Sequence, residues 1–86
     1  MFNEKLIELR KQNSHTQESI AKQLHVSRSL IAKWEQGRAY PTLDDLNNIL
    51  KLYNLEFDDL MTKEELKNIY GIVSKKEKIK RKLFYL

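Results

Sequence analysis

The chain has 86 residues, the size of one small domain, and its 16 Lys and Arg outnumber 12 Asp and Glu to give a net charge of +4. It contains no cysteine, which excludes a disulfide framework, a thiolate zinc site and a cysteine nucleophile. The N-terminus does not resemble a secretory signal and no run of about 18 apolar residues is present, so we expect a cytoplasmic protein without a membrane span. Only 2 Gly and 1 Pro in the chain predict a mostly helical fold.

The charge is divided into three segments. Residues 1–38 carry seven Lys and Arg and four Glu, residues 39–66 carry two Lys and seven acids, and residues 67–86 carry seven Lys and Arg and one Glu. The net charges of these segments are therefore +3, −5 and +6. Two basic segments on either side of an acidic one favour binding of a polyanion, although a Lys-rich terminus can also serve only solubility.

Apolar spacing and capping residues predict three short helices in the first half of the chain. Phe2, Leu6 and Leu9 have the spacing of one helical face. Thr16 and Ser27 are suitable N-caps for a second and a third helix. The side chains that these two helices turn inward are Ile20, Leu24, Val26, Ile31 and Trp34.

The second half of the chain contains three more predicted helices. Gly37 is a C-cap that ends the third helix, and Thr42 caps a fourth. A short fifth helix lies around residues 55–61, and the Thr-x-x-Glu sequence from Thr62 to Glu65 is a capping box for a sixth. The paired acids at 44–45 and 58–59 lie where helices begin, so helix electrostatics explains them better than a catalytic carboxylate pair does. We expect the fourth helix to bury Leu43, Leu46, Ile49, Leu50 and Tyr53.

The predicted helices at residues 17–24 and 28–35 carry a functional prediction. Two short helices joined by three residues must cross steeply, and the small Ala21 lets them approach closely. An α-helix fits the major groove of B-DNA, where Arg or Lys can bind guanine. Any amphipathic helix pair with solvated basic residues looks similar, so the spacing alone leaves DNA binding and a solvated surface both open. The short or basic residues on the exposed face of the second helix are Arg28, Ser29, Ala32 and Lys33.

The segment from Thr16 to Gly37 closely resembles the helix-turn-helix of the phage-repressor/Cro type, also called the xenobiotic-response-element family. The resemblance extends from Leu6 to residue 61, about two-thirds of the chain. Together with the predicted helices, it implies an all-α fold, with a compact five-helix, lambda-repressor-like DNA-binding domain at residues 1–61, followed by a basic helical tail at residues 62–86. The residues that carry it are Thr16-Gln17 at the start of the first helix, Ala21 within it, Val26-Ser27 before the second helix, and Trp34-Glu35-x-Gly37 at its end.

The same resemblance implies roles for individual residues. Arg10 and Glu35 occupy positions that the family pairs in a partly buried ion bridge, so Arg10 counts as scaffold before DNA ligand. Base contacts are expected from Arg28, Ser29 and Lys33, with Ala32 against the floor of the groove. Contacts with the DNA backbone are expected from Gln17, Ser27, Gln36, Arg38 and Tyr40.

Two positions depart from the family pattern. His25 stands where the turn usually has glycine, and histidine is among the residues enriched in the left-handed region, so we expect the turn to form. Ser14-His15 replaces the usual glycine and apolar residue before Thr16. We expect the His15 ring to pack half-buried against Leu9 rather than to act as a pH sensor.

The tail at residues 62–86 allows several interpretations. Over about two and a half heptads, part of it follows the a/d spacing of a coiled coil, which favours a dimerisation helix. A competing apolar stripe would fold back on the domain, and these two interpretations rank above an additional DNA backbone contact and, last, a membrane-proximal segment of a truncated protein. The dimerisation stripe contains Ile69, Ile72, Ile79 and Leu83, and the competing stripe contains Leu66, Ile69, Tyr70 and Val73.

The sequence therefore predicts a sequence-specific transcriptional regulator, a repressor that binds a palindromic operator in double-stranded DNA as a homodimer. The alternative is a protein-interaction module of the antitoxin or anti-repressor type, with the tail as its partner-binding segment. We expect no enzyme activity and no cofactor. We also expect no metal site, because His15 and His25 are ten residues apart without a carboxylate at ligand spacing.

Overall fold

The computed structural model describes residues 1–72, and residues 73–86 lie outside the described part of the chain. Residues 1–72 form helices without any strand, which confirms the predicted all-α fold. None of these helices combines the length and the apolar character that crossing a bilayer requires. The helices are α1 (Phe2–Gln12), α2 (Gln17–Leu24), α3 (Arg28–Glu35), α4 (Leu43–Tyr53), α5 (Phe57–Leu60) and α6 (Lys63–Tyr70).

Hydroxyl side chains begin four of the six helices within residues 1–72. The hydroxyl oxygens of Thr16, Ser27, Thr42 and Thr62 each accept a hydrogen bond from a backbone N–H in the first turn of the helix that follows. Each bond satisfies one of the backbone donors that a helix start leaves without a partner. The four predicted N-caps are therefore confirmed.

The ends of α2 and α4 share a left-handed conformation. His25 has φ 57° after α2, and the N–H of Val26 then donates to the carbonyl of Ala21 at 3.0 Å. Asn54 has φ 54° after α4, and the N–H of Leu55 donates to Leu50 O at 2.9 Å in the same way. These are Schellman-type ends, in which a left-handed residue turns the chain away from the helix.

One hydrophobic core joins all six helices. Trp34 and Ile31 of α3 are completely buried between α1 and α2, which both pack against α3. Burial of these large side chains supplies most of the driving force for a domain of this size. The largest fully buried side chains are Trp34, Phe2, Leu6, Ile20, Ile31, Leu46, Ile49 and Leu66.

Leu43 does not belong to this core, in contrast to the prediction. Its side chain is 45% exposed, whereas Leu46 is fully buried. Leu43 is the first residue of α4, next to the exposed Asp44, and the buried stripe of the helix begins one turn later. Burial of Leu46, Ile49 and Leu50 was correctly predicted, but the start of the stripe was placed one turn too early, and Tyr53 is only half-buried.

The core also extends beyond residue 61, where the sequence analysis placed the end of the domain. Leu66 of α6 is fully buried, and the hydroxyl of Tyr70 donates to the carbonyl of Pro41 at 2.6 Å. Burial raises the pKa of Tyr70 to about 12, in keeping with its position against the domain. Helix α6 is therefore part of the packed body.

The stripe predicted for a dimerisation helix does not run along one continuous helix. Gly71 ends α6 with φ +69°, so Ile69 and Ile72 lie on either side of a helix end. Ile69 is exposed on α6, while Ile72 packs partly buried against the core. The other two members, Ile79 and Leu83, lie outside the described residues.

Candidate nucleic-acid interface

The turn between α2 and α3 sets the geometry of the site. Three residues connect the two helices, and His25 takes the left-handed conformation that reverses the chain. Ala21 is buried, so its single methyl group allows the two helices to pack closely. The turn and the small residue together allow α3 to pack closely against α2.

The exposed side of α3 is basic. Arg28, Ser29 and Lys33 are exposed and Ala32 is half-buried, whereas Ile31 lies on the opposite, fully buried side. Within residues 1–72 the only ion pair joins two other residues, so neither cation of this face is neutralised by a described carboxylate. The four predicted base-contacting residues therefore lie together on one accessible surface.

Three of the predicted backbone-contacting residues flank this surface. Ser27 is exposed at the start of α3, and its hydroxyl oxygen accepts the N–H of Leu30 at 3.1 Å, which leaves the hydroxyl proton free to donate. Gln36 and Arg38 are exposed just after α3. Between them Gly37 has φ +72°, a conformation that favours glycine, and it directs the chain into the loop.

A polar network links the first three helices behind this surface. Arg10 of α1 forms an ion pair with the buried carboxylate of Glu35 at the end of α3, through Nε to Oε2 at 2.7 Å and Nη2 to Oε1 at 3.0 Å. The hydrogen bond with Glu35 raises the pKa of the Arg10 guanidinium above its ordinary value. The guanidinium also donates to the carbonyl of His15 at 3.2 Å, which ties it to the chain before α2. All three guanidinium nitrogens of Arg10 thus donate hydrogen bonds within the domain.

Gln17 belongs to the same network. It is the first residue of α2 and half-buried, and its Nε2 donates to Glu35 Oε1 at 3.1 Å. Glu35 therefore receives hydrogen bonds from both α1 and α2 while it belongs to α3. The carboxylate joins the three helices that build the interface.

Tyr40 differs from the other predicted backbone contacts in its packing against α1 and α6. Its ring packs against Phe2 with centroids 5.9 Å apart, and its hydroxyl donates to Glu65 Oε2 at 3.3 Å. Burial and the neighbouring Glu65 carboxylate raise the pKa of Tyr40. Its hydroxyl is therefore engaged with α6.

Comparison with known proteins identifies the family of this chain. The helix-turn-helix domain family matches residues 3–66, which is well over half of the sequence. The chain belongs to the helix-turn-helix domain family. The resemblance predicted from the sequence is thereby confirmed at the level of the helix-turn-helix domain.

One relative of this helix-turn-helix domain is the HTH-type transcriptional activator BcrR of Enterococcus faecalis. The two sequences are 48% identical over 65 residues, which is 76% of this chain and 32% of the relative. The chain thus spans about a third of the length of the curated relative that it matches. No solved structure matches the chain.

Sequence reasoning missed two contacts of the helix-turn-helix domain. His15 is half-buried as expected, but its Nδ1 lies 3.0 Å from the hydroxyl of Tyr53, a partner on α4 that nothing in the sequence indicates. Glu65 was predicted only as a capping residue of α6. Its carboxylate also accepts the backbone N–H of Phe2 at 3.1 Å, and this bond between the two ends of the described chain has no local sequence signal.

Proposed function

We propose that this helix-turn-helix domain binds double-stranded DNA sequence-specifically and regulates transcription as a homodimer on a palindromic operator. The observation that carries the proposal is the exposed face of α3, where Arg28 and Lys33 have no ion-pair partner within residues 1–72. Exposed cations on a helix that fits the major groove are suited to both phosphate attraction and base recognition.

The base-contacting surface has the chemistry for direct readout. Arg28 can donate two parallel hydrogen bonds to O6 and N7 of guanine, and Lys33, one turn further along α3, can also donate to guanine. Ser29 is short and can donate or accept, and the small Ala32 permits a close approach of the helix to the groove floor. The fully buried Trp34 holds the opposite side of the helix in the core, so the orientation of this face is fixed by packing.

The proposed backbone contacts surround this surface. Gln17 at the start of α2, Ser27 at the start of α3, and Gln36 and Arg38 after α3 form a polar rim that would fix the domain on the phosphates. Tyr40 is left out of the proposal, because its hydroxyl already donates to Glu65.

The proposed dimer would place two copies of α3 about one helical turn apart, ~34 Å between centres. The resemblance favours a repressor, whereas the relative from Enterococcus faecalis is named an activator. A reporter gene with the selected operator placed at different positions relative to its promoter measures whether the chain represses or activates transcription.

The decisive experiment selects duplexes from a random pool at two salt concentrations with the full chain. Arg28→Ala is expected to lose about 1–3 kcal/mol of binding free energy at one base pair and to relax the preference there. Arg38→Ala is expected to weaken binding to all sequences alike. It should also reduce the steepness of the plot of log K against log salt concentration by about one.

The matched control for these variants is Lys51→Ala, which removes an exposed cation from α4. Lys51→Ala should change neither the sequence preference nor the salt dependence of DNA binding. Unchanged sequence preference in the double variant Arg28→Ala/Lys33→Ala would refute the assignment of α3 as the recognition helix.

A protein-interaction module remains a second candidate, favoured by one surface feature. A shallow depression of about 680 Å³ beside α6 is lined by the exposed apolar side chains of Met1, Tyr40 and Ile69. Ile69→Glu separates the two functions: loss of self-association or of partner capture, with full affinity for a single DNA half-site, assigns this surface to protein contacts. Loss of half-site affinity would contradict that assignment.

A further inference from the structure

The side chain of Gln17 lies at the edge of the DNA-binding surface, and its role here rests on the DNA-binding function proposed above. Glu35 is buried, and Arg10 already neutralises its charge with two hydrogen bonds. The third bond, from Gln17 Nε2 to Glu35 Oε1, reaches a carboxylate that already has a cation partner. This bond also constrains Gln17 itself.

The carboxylate determines which way the Gln17 amide faces. A side-chain amide has one donor end and one acceptor end, and the two are nearly isosteric. An ionised carboxylate only accepts hydrogen bonds, so the NH2 group must face Glu35 and the carbonyl oxygen must face away. The orientation of the amide is thus fixed by the chemistry of its partner.

This orientation leaves two polar groups of Gln17 free for a ligand. The NH2 group has two protons and one is used by Glu35, so a second N–H and the carbonyl Oε1 remain without a partner within residues 1–72. The second N–H can donate to a phosphate oxygen, and the N–H and oxygen together can bind a base edge that offers both an acceptor and a donor. A glutamine side chain without such a hydrogen bond would lose conformational freedom when it made the same contact with DNA.

We propose that Glu35, held by Arg10, is a positioning residue that presets the Gln17 amide for contact with DNA. The ion pair has two consequences in this interpretation. It joins α1 to α3, and it transmits its fixed geometry to a side chain at the edge of the DNA-binding surface. The contribution of Gln17 to DNA affinity then depends on Glu35.

The first measurement needs no DNA. In a ¹H–¹⁵N spectrum of the wild-type chain, one side-chain amide proton of Gln17 should exchange slowly with solvent and should be displaced from the signal of the exposed Gln23. Gln12 is the matched control, since its Nε2 also donates to a carboxylate, that of Glu8 at 3.2 Å, but on the exposed surface. Signals of Gln17 that exchange as fast as those of Gln12 and Gln23 would overturn the proposal.

The second measurement uses the best duplex selected from the random pool. Gln17→Ala should weaken binding about five-fold in the wild-type background, which corresponds to one hydrogen bond. In the background Arg10→Met/Glu35→Leu, which removes both charges together, the same substitution should weaken binding less than about two-fold. Arg28→Ala, at the other end of α3, serves as the control and should cost the same factor in both backgrounds.

An equal cost of Gln17→Ala in both backgrounds would overturn the positioning role, since a purely structural ion pair predicts that equality. The spectrum of the wild-type chain decides the orientation of the amide even where the double variant does not fold. Absence of DNA binding by the wild-type chain would remove the proposed function, but it would leave the result of the spectrum intact, so the two failures are distinguishable.

Discussion

The two halves of the domain each bury one glutamate, and they stabilise it in different ways. Glu35, in the α1–α3 half, is paired with the guanidinium of Arg10 at 2.7 Å. Glu65, at the start of α6, has no cation partner within residues 1–72 and instead accepts hydrogen bonds from the backbone N–H groups of Phe2 and Thr62 and from the Tyr40 hydroxyl. The negative charge of Glu35 is compensated by an opposite charge, and that of Glu65 by the dipoles of N–H and O–H groups.

The difference explains what each glutamate does for the fold. The pair of Arg10 and Glu35 joins two helices with complementary charges, so each partner depends on the other for its stability. Glu65 satisfies the first N–H of α1 and the capping box of α6 at once, which connects the starts of two helices through a bond between residues 63 apart in sequence. We therefore expect the loss of one hydrogen-bonding partner to reduce the stability of the fold strongly at Glu35 and moderately at Glu65.

The largest effect should come from Arg10→Met, which leaves the buried carboxylate of Glu35 without its cation. We expect the free energy of unfolding to fall by about 3–5 kcal/mol, because a buried charge that has lost its partner retains its full desolvation penalty. Chemical denaturation followed by far-ultraviolet circular dichroism measures the change.

The double variant Arg10→Met/Glu35→Leu is the control for this prediction. With both charges gone and apolar side chains in their place, stability should lie within about 1 kcal/mol of wild type. A double variant as unstable as Arg10→Met would mean that the geometry of the ion pair, rather than charge compensation, holds α1 against α3.

A smaller effect is expected from Glu65→Gln. The amide keeps one acceptor oxygen but offers an N–H group to a site where Phe2, Thr62 and Tyr40 all donate. We expect a loss of about 1–2 kcal/mol at neutral pH, consistent with hydrogen bonds to a charged acceptor. The exposed Glu64→Gln, one residue away, should change stability by less than about 0.5 kcal/mol and is the matched control.

The pH dependence of folding stability should reflect the hydrogen bonds of Glu65. Burial by itself would raise the pKa of Glu65, but the hydrogen bonds from Thr62, Phe2 and Tyr40 together lower it below its ordinary value of 4.5. Since the folded state favours the ionised form, the stabilisation is complete above pH 4.5 and is lost as the pH falls through the lowered pKa. The difference in stability between wild type and Glu65→Gln should therefore shrink below pH 4.5, and a difference that is constant with pH would contradict this account.

These residues also explain how far the sequence could predict the molecule. The four hydroxyl N-caps and the left-handed His25 were predictable because caps and turns depend on neighbouring residues. The position of the helix-turn-helix was predictable from its resemblance to a known family. The bonds between Phe2 and Glu65 and between His15 and Tyr53 were not, since they join residues far apart in sequence through chemistry that many polar residues could supply.

The burial of α6 was underestimated for a related reason. The apolar spacing of Leu66, Ile69 and Tyr70 is compatible with a dimerisation stripe and with packing on the domain. The choice depends on Gly71, whose left-handed conformation ends the helix, and on Pro41, whose carbonyl accepts the Tyr70 hydroxyl. Periodicity alone cannot identify the surface that an apolar stripe will meet.

The smallest predicted effect compares the matching turns of the two halves. His25 after α2 and Asn54 after α4 have nearly the same left-handed φ, 57° and 54°, and the same type of hydrogen bond closes both turns. A residue with a Cβ atom is strained in this region, and Asn tolerates it better than most residues because its short polar side chain can hydrogen-bond locally. His25→Gly should therefore raise the free energy of unfolding by about 0.5–1 kcal/mol, once the entropy lost by glycine is included, and Asn54→Gly should raise it by less. Thermal unfolding of both variants without DNA tests the order, and a larger gain at Asn54 would show that backbone strain is not what distinguishes the two turns.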